Sequence, residues 1–212
     1  MTPTALFQVA FDFVDAATAA SLAQRMGDAL DWAEAGTPLI ALEGMTAVRA
    51  LRAAVPGKRV VADLKIVDSG KQLVNMAIDA GADVITVLGC ADDVVIREVV
   101  ETAHARNALV AADMLGIDDE ISRAHTLAYL GVDYLNVHAS AAHSAGQPRI
   151  IPFDLIALLN EHVGLPLIVA GGVSKKTIAA VLACKPAVVV AGSAVLNEVD
   201  PVAAMWALRT TC

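Results

Sequence analysis

Arg59-Val60-Val61-Ala62-Asp63-Leu64-Lys65-Ile66-Val67-Asp68 is an apolar, β-branched run that closes on an acid, a lysine and a second acid. Side chains alternate faces along a strand, so Asp63 and Lys65 are expected to point the same way at the strand's C-terminal end. Asp68 follows just past it, on a loop or a helix start. An ammonium flanked by two carboxylates is poor core material and good active-site material.

Working outward, the same grammar recurs along the chain. Short β-branched runs at 6–13, 30–35, 59–64, 84–88, 109–113, 134–138, 167–170 and 188–191 are predicted strands. Most are apolar on both faces, as strands buried under helices are. Between them lie Ala-rich amphipathic stretches near 18–26, 46–54, 70–80, 92–105, 118–130, 153–161, 174–182 and 201–209. Gly81 and Gly131 stop two of these helices just before a strand, Ser174 is placed to cap another, and Pro201 suits a first helical turn. Eight strand–helix units in 212 residues predict one (β/α)₈ TIM barrel spanning 1–212 as a single α/β domain. A doubly wound open sheet usually has fewer strands and would require some of these to be false.

In a barrel, catalytic groups gather where the strands end. The predicted strand ends carry, in order, Asp12, Glu34, Asp63 with Lys65, Gly89, Asp113, His138, Gly171-Gly172 and Gly192-Ser193. Asp12, Glu34 and Asp63 end three successive strands and face one mouth, where Glu34 and Asp63 offer the hard oxygen donors that suit Mg²⁺. Lys65 beside them is suited to meet a developing oxyanion. The plainer alternative is a ring of structural ion pairs. The glycines after strands seven and eight let backbone N–H groups approach a phosphate, with the Ser193 hydroxyl beside them; tight turns alone are the plainer account. His138, at the end of the sixth strand, is an acid/base candidate because imidazole titrates near neutrality.

Composition narrows the partners. Apolar residues make up 57% of the chain and aromatics 4%, which describes an interior of small side chains. A net charge of −8 argues against a nucleic-acid surface. An anionic substrate would then be held by local donors rather than by the overall field. The three cysteines, Cys90, Cys184 and Cys212, form no Cys-x-x-Cys pair. Neither a zinc site nor a disulfide framework is indicated, and a reducing, cytoplasmic setting is expected. No apolar run approaches the length of a membrane span, and Met1-Thr2-Pro3-Thr4 does not open a signal peptide.

Several blocks together carry a family resemblance. They are Gln8-Val9-Ala10-Phe11-Asp12, Glu34-Ala35-Gly36-Thr37-Pro38-Leu39-Ile40, Ala62-Asp63-Leu64-Lys65-Ile66-Val67-Asp68, and Gly81-Ala82-Asp83-Val84-Ile85-Thr86-Val87-Leu88-Gly89. Asp113-Met114-Leu115-Gly116-Ile117, Val137-His138-Ala139, Ala170-Gly171-Gly172-Val173 and Ala191-Gly192-Ser193-Ala194 continue them. The chain resembles the orotidine monophosphate decarboxylase suprafamily, which carries the Asp-x-Lys-x-x-Asp signature. Within it the resemblance is to the 3-hexulose-6-phosphate synthase branch, and the Glu-x-Gly-Thr-Pro-Leu-Ile block is its most specific marker.

That resemblance implies a lyase that condenses formaldehyde with D-ribulose 5-phosphate using Mg²⁺. It implies that Glu34 and Asp63 hold the metal and that Lys65 stabilises an enediolate. His138 would handle a proton. Asp12 would contact substrate hydroxyls or a metal-bound water, and Gly171, Gly172, Gly192 and Ser193 would bind the phosphate. Asp68 would enter the site of a neighbouring subunit, giving a homodimer with shared active sites. The sister branch, 3-keto-L-gulonate-6-phosphate decarboxylase, has arginines where this chain has Ala141 and Ser193, so the synthase is favoured. The loop at 140–149 matches neither branch. A sugar-phosphate-binding barrel without catalysis is the non-enzymatic alternative, against which the intact Asp63, Lys65 and Asp68 stand.

Overall fold

The computed structural model describes residues 5–12, 14–139 and 150–210. Eight parallel strands close on themselves in sequence order: β1 (Leu6–Phe11), β2 (Trp32–Ala35), β3 (Arg59–Ile66), β4 (Val84–Leu88), β5 (Leu109–Asp113), β6 (Tyr134–His138), β7 (Leu167–Ala170) and β8 (Val188–Ala191). The register of β1 against β8, with Leu6 opposite Val188, completes the ring. Helices follow the strands on the outside: α1 (Ala16–Met26), α2 (Thr37–Glu43), α3 (Met45–Ala54), α4 (Gly70–Asp79), α5 (Asp93–His104), α6 (Glu120–Leu130), α7 (Phe153–His162), α8 (Ile178–Ala183), α9 (Ser193–Leu196) and α10 (Pro201–Arg209). The predicted (β/α)₈ barrel is therefore the observed fold.

Several local expectations change, beginning with β1, which ends at Phe11, and β2, which begins at Trp32, each two residues shorter than the predicted run. A helix, α2, follows β2 directly, with Pro38 in its first turn, where no predicted helix stood. There a fixed φ starts a helix rather than stopping one. Strand β3 runs two residues further than expected, to Ile66. Helix α8 begins at Ile178, so Ser174 is not its cap. The hydroxyl of Thr177 instead donates to the Gly172 carbonyl at 2.8 Å and accepts the Ser174 N–H at 2.9 Å, which ties down the chain after β7.

Alternation along each strand sorts the interior. Phe7, Val9 and Phe11 of β1 turn outward and pack in the sheet–helix core, while Ala10 joins the core inside the barrel. At the bottom the barrel is closed by apolar bulk. Trp32 meets Tyr134 edge to face, with centroids 5.5 Å apart, and the Arg59 guanidinium lies 5.2 Å from the Trp32 ring centroid. Higher up the filling changes character. The buried polar side chains among the described residues are Gln8, Glu34, Asp63, Thr86, Asp113 and Asn136. All six stand at inward positions of β1 to β6, so the polar filling is one zone of successive strands rather than a scatter.

The lower rim is stitched by a repeated device. Asp31, Asp83 and Asp133 immediately precede β2, β4 and β6 or stand next to their first residue. Each accepts the backbone N–H of the preceding strand, from Phe7 at 2.8 Å, Val60 at 2.7 Å and Val110 at 2.7 Å. Each also meets a basic side chain from a helix: Arg209, Arg52 and His104 respectively. A carboxylate that receives both a backbone donor and a basic side chain is well satisfied at a half-buried strand start. No helix among the described residues is long and apolar enough to cross a membrane.

Candidate active site

A cleft opens at the C-terminal ends of the strands, with an empty volume of about 820 Å³ that includes its open mouth. Asp12, Glu34, Asp63, Lys65, His138, Gly171, Gly172, Gly192 and Ser193 all line it. The chain thus gathers nine of the ten side chains or glycines singled out from sequence around one space. The tenth, Asp68, does not line it. Asp68 is exposed beyond β3, and its Oδ1 accepts the N–H of Ser69 at 2.6 Å. The loop at 140–149, with Ala141, lies outside the described residues.

Lys65 reaches Asp63 by an unexpected route. Ala62 pairs with Ile85 and Ile66 pairs with Val87, so Asp63, Leu64 and Lys65 together face the single residue Thr86. The strand bulges there, and Lys65 takes a left-handed φ of 45°. Such a backbone costs roughly 1–2 kcal/mol for a residue with a Cβ. It strands ladder groups that must find partners elsewhere. Two threonines supply them. Thr86 Oγ1 accepts the Lys65 N–H at 2.9 Å, and Thr37 Oγ1 donates to the Asp63 carbonyl at 2.9 Å.

The same two hydroxyls also reach the Asp63 carboxylate. Thr86 Oγ1 donates to Oδ1 at 2.8 Å, and Thr37 Oγ1 lies 2.7 Å from Oδ2. Lys65 Nζ donates to Oδ2 at 2.5 Å and stands 3.5 Å from Asp113 Oδ2. Burial pushes Asp63 up, but the Lys65 charge and these hydrogen bonds outweigh it and hold the carboxyl below its ordinary value. Burial likewise works against the Lys65 ammonium, yet Asp63 and Asp113 prevail and keep its pKa above that of a free lysine. The pair is therefore an ion pair at neutral pH.

Glu34 behaves oppositely. Gln8 Nε2 donates to its Oε2 at 2.5 Å. Burial, followed by the charges of Asp63 and Asp12, drives its carboxyl well above the ordinary range. Three acids converge here, and the Asp12 side chain sits close against Gly36: a methyl group on Gly36 would fall 1.9 Å from Asp12 Oδ1. Only glycine leaves Asp12 that place. The buried acceptors Gln8 Oε1 and Asn136 Oδ1 have no hydrogen-bond partner among the described residues. The crowded carboxylates of Glu34, Asp63 and Asp12 are hard oxygen donors of the kind that suits a cation such as Mg²⁺. Among the described residues no group of three or more His, Cys, Asp or Glu side chains is placed to hold a metal ion. Mg²⁺ rarely needs such a group, since it keeps several waters.

On the far wall His138 Nδ1 lies 3.4 Å from Asp113 Oδ2. Asp113 is fully buried, and its Oδ1 also accepts the Leu115 N–H at 3.1 Å. A carboxylate only accepts, so in this contact Nδ1 is the donor and Nε2 is the ring nitrogen left over for a substrate. Above it, Gly171 and Gly172 have φ of 77° and 75°. A side chain at Gly171 would bring its Cβ within 2.5 Å of the Ala139 carbonyl oxygen. These two glycines and Gly192-Ser193 line the cleft, and a Cβ at Gly192 would fall 3.8 Å from Asp12 Oδ2.

Sequence reasoning placed Asp113 on the rim without a task and assigned no part to Gln8, Thr37, Thr86 or Asn136. Gln8 and Asn136 carried a usable signal, since each is a polar residue at an inward position of an otherwise apolar strand. Thr86 carried none, because threonine is an ordinary strand former.

Comparison with known proteins agrees with this geometry. Residues 5–208 match the model of the orotidine 5'-phosphate decarboxylase / HUMPS family. A 3-hexulose-6-phosphate synthase of Mycobacterium gastri is 41% identical over 204 residues, covering 95% of this chain and 97% of the relative. A crystal structure of a 3-hexulose-6-phosphate synthase superposes with a TM-score of 0.90 at 38% identity, covering 97% of this chain and 98% of that one. The 3-keto-L-gulonate-6-phosphate decarboxylase of Vibrio cholerae superposes with a TM-score of 0.85 at 27% identity, covering 98% and 97%. With the matched region running from β1 to α10 and the acid–lysine bulge at its centre, the chain belongs to the orotidine 5'-phosphate decarboxylase / HUMPS family.

Proposed function

We propose that the protein is a cytoplasmic aldehyde-lyase that joins formaldehyde to D-ribulose 5-phosphate, reversibly, to give 3-hexulose 6-phosphate. The observation that carries this reading is the Lys65 ammonium held between Asp63 and Asp113 at the mouth of a barrel whose rim is also glycine-lined. Support comes also from the synthases at 41% and 38% identity, against 27% for the decarboxylase.

The chemistry follows from where charge develops. Removing a proton beside the ketone makes a negative oxygen; the enediolate carbon then attacks formaldehyde, whose C=O π bond opens to an alkoxide that takes a proton back as the ketone re-forms. His138 Nε2 is the group to take the first proton, with Asp113 fixing the tautomer. Lys65 faces the oxygen on which charge appears and is already in place, so no reorganisation is needed as the reaction proceeds. Glu34 and Asp63 are the residues to hold Mg²⁺. When bound, Mg²⁺ supplies Lewis-acid stabilisation of the same negative oxygen. Asp12 orients substrate hydroxyls or a metal-bound water. Gly171, Gly172, Gly192 and the Ser193 hydroxyl take the phosphate at the barrel's usual phosphate position. Asp68, outside its own cleft, completes the site of a second subunit, so the working unit is a homodimer with shared sites.

The test is to offer the purified protein, with Mg²⁺, ribulose 5-phosphate plus formaldehyde and, separately, 3-keto-L-gulonate 6-phosphate. Formation of 3-hexulose 6-phosphate, abolished by a chelator, is the expected result. Release of CO₂ from the gulonate ester without formaldehyde fixation would make the protein a decarboxylase. Turnover of neither, with sugar phosphate bound, would make it a binding barrel. Mixing inactive Lys65→Ala and Asp68→Ala chains should restore part of the activity; exchange of subunits without restoration would refute the shared site.

A further inference from the structure

We propose that Thr86 is a positioning residue that sets the reactive geometry of Lys65 through a closed ring of hydrogen bonds. The inference rests on the role given above to Lys65 and Asp63. A hydroxyl has one proton. Thr86 Oγ1 accepts the Lys65 N–H at 2.9 Å, so its own proton is committed to Asp63 Oδ1 at 2.8 Å. The other Asp63 oxygen receives Lys65 Nζ at 2.5 Å. The backbone end and the side-chain end of one lysine are thereby tied to the two oxygens of one carboxylate, and Thr86 is the link that closes the loop.

The sheet explains why a side chain is needed. Three residues of β3 face Thr86 alone, so no β4 backbone carbonyl stands where the Lys65 N–H requires one. Thr86 is buried, with 4% of its surface exposed, so water is a poor substitute. Lys65 keeps its left-handed φ of 45° only while the surroundings impose it. Without the Thr86 hydroxyl, the bulge is free to relax toward a regular strand. That slides the lysine along the barrel wall and turns one Asp63 oxygen loose. Thr37 cannot compensate, because it serves the Asp63 carbonyl and Oδ2 and does not contact the Lys65 N–H.

The experiment compares the wild type with Thr86→Ser, which keeps the hydroxyl, and Thr86→Val, which keeps the shape without it. Should the valine protein fail to fold, Thr86→Ala carries the same comparison. A misplacement of this kind is expected to lower kcat on the order of 10²-fold. KM for ribulose 5-phosphate should change by less than about threefold, since the glycine rim is untouched, and the serine variant should retain at least about a third of kcat. Amide hydrogen exchange at Lys65 should be at least about tenfold faster in the valine protein, as a freed donor in an opened bulge demands. A valine variant with kcat within threefold of wild type would overturn the proposal, as would equal losses in valine and serine or a loss confined to KM. If the wild type turns over neither candidate substrate, the functional reading fails on its own. The exchange rates then decide for Thr86, with equal rates in wild type and valine variant overturning it.

Discussion

Replacing Lys65 by methionine keeps the length and apolar stem of the side chain and removes only its charge. In the native protein Nζ stands 2.5 Å from Asp63 Oδ2 and 3.5 Å from Asp113 Oδ2. At an effective dielectric of about 20 these contacts amount to about 7 and about 5 kcal/mol of gross attraction, against a desolvation cost of several kcal/mol per buried ion. The lysine side chain is 22% exposed and both carboxylates are more buried still, so solvent screening is partial. Removing one partner of such a cluster costs about 3–5 kcal/mol, because the other charges stay buried. For a domain of this size that lowers the melting temperature by about 6–20 °C.

The pH dependence has a definite sign. Native Asp63, held below its ordinary pKa, contributes stability above the ordinary carboxylate range and loses it as the pH falls. In the methionine variant burial remains and the partner is gone, so the carboxyl moves the other way. It then contributes stability at acid pH and loses it as the pH rises. The two proteins should thus melt most nearly alike in acid and diverge toward neutrality. Turnover should fall at least about 10²–10³-fold, the worth of one positioned oxyanion donor. Calorimetry across pH and steady-state assays check both arms. A variant within tenfold of native turnover, or with an unchanged melting temperature at pH 7, would refute the account.

Other outcomes follow from neighbouring features. Glu34 carries a raised pKa, so it favours the fold while protonated and loses that contribution as the pH rises through its elevated titration. Glu34→Gln should therefore melt higher than the parent at neutral pH without metal, and Mg²⁺ should stabilise the parent alone; equal stabilisation of both by Mg²⁺ would exclude Glu34 as a ligand. Gly171→Ala forces a Cβ within 2.5 Å of the Ala139 carbonyl at a φ of 77°. It should raise KM for the phosphorylated substrate about tenfold or more, the backbone strain alone being roughly 1–2 kcal/mol; an unchanged KM would show that this turn does not hold the phosphate. Arg52→Ala removes donors to Gly81 O at 3.0 Å and Lys58 O at 2.9 Å together with the Asp83 partner, at the opposite end of the barrel. It should cost about 2–3 kcal/mol in urea unfolding with turnover unchanged, and native stability would refute the stitch.

The barrel was legible because its signals are local. Five strands, β4 to β8, lie where apolar runs between turn residues place them, since alternation and helix–strand punctuation act within a few neighbours. The residue types at the strand ends likewise marked the positions that line the cleft. Helix α2 was not legible, because the Thr-Pro that starts it also reads as a break. The bulge at Lys65 was not either: simple alternation puts Asp63 and Lys65 on one face, and the structure reaches that result through a left-handed residue and a slipped register. The slip is decided by pairing with β4, some twenty residues along the chain. The same holds for Thr37 and Thr86, each an unremarkable helix or strand residue until closure of the sheet sets it against Asp63 or Lys65, and for Asp113, legible as a rim residue but not as the neighbour of Lys65 and His138. What the sequence determined was period and composition, which are properties of near neighbours. Which carboxylate oxygen faces which donor was decided only by closure of the ring, because that depends on contacts between strands that no local pattern encodes.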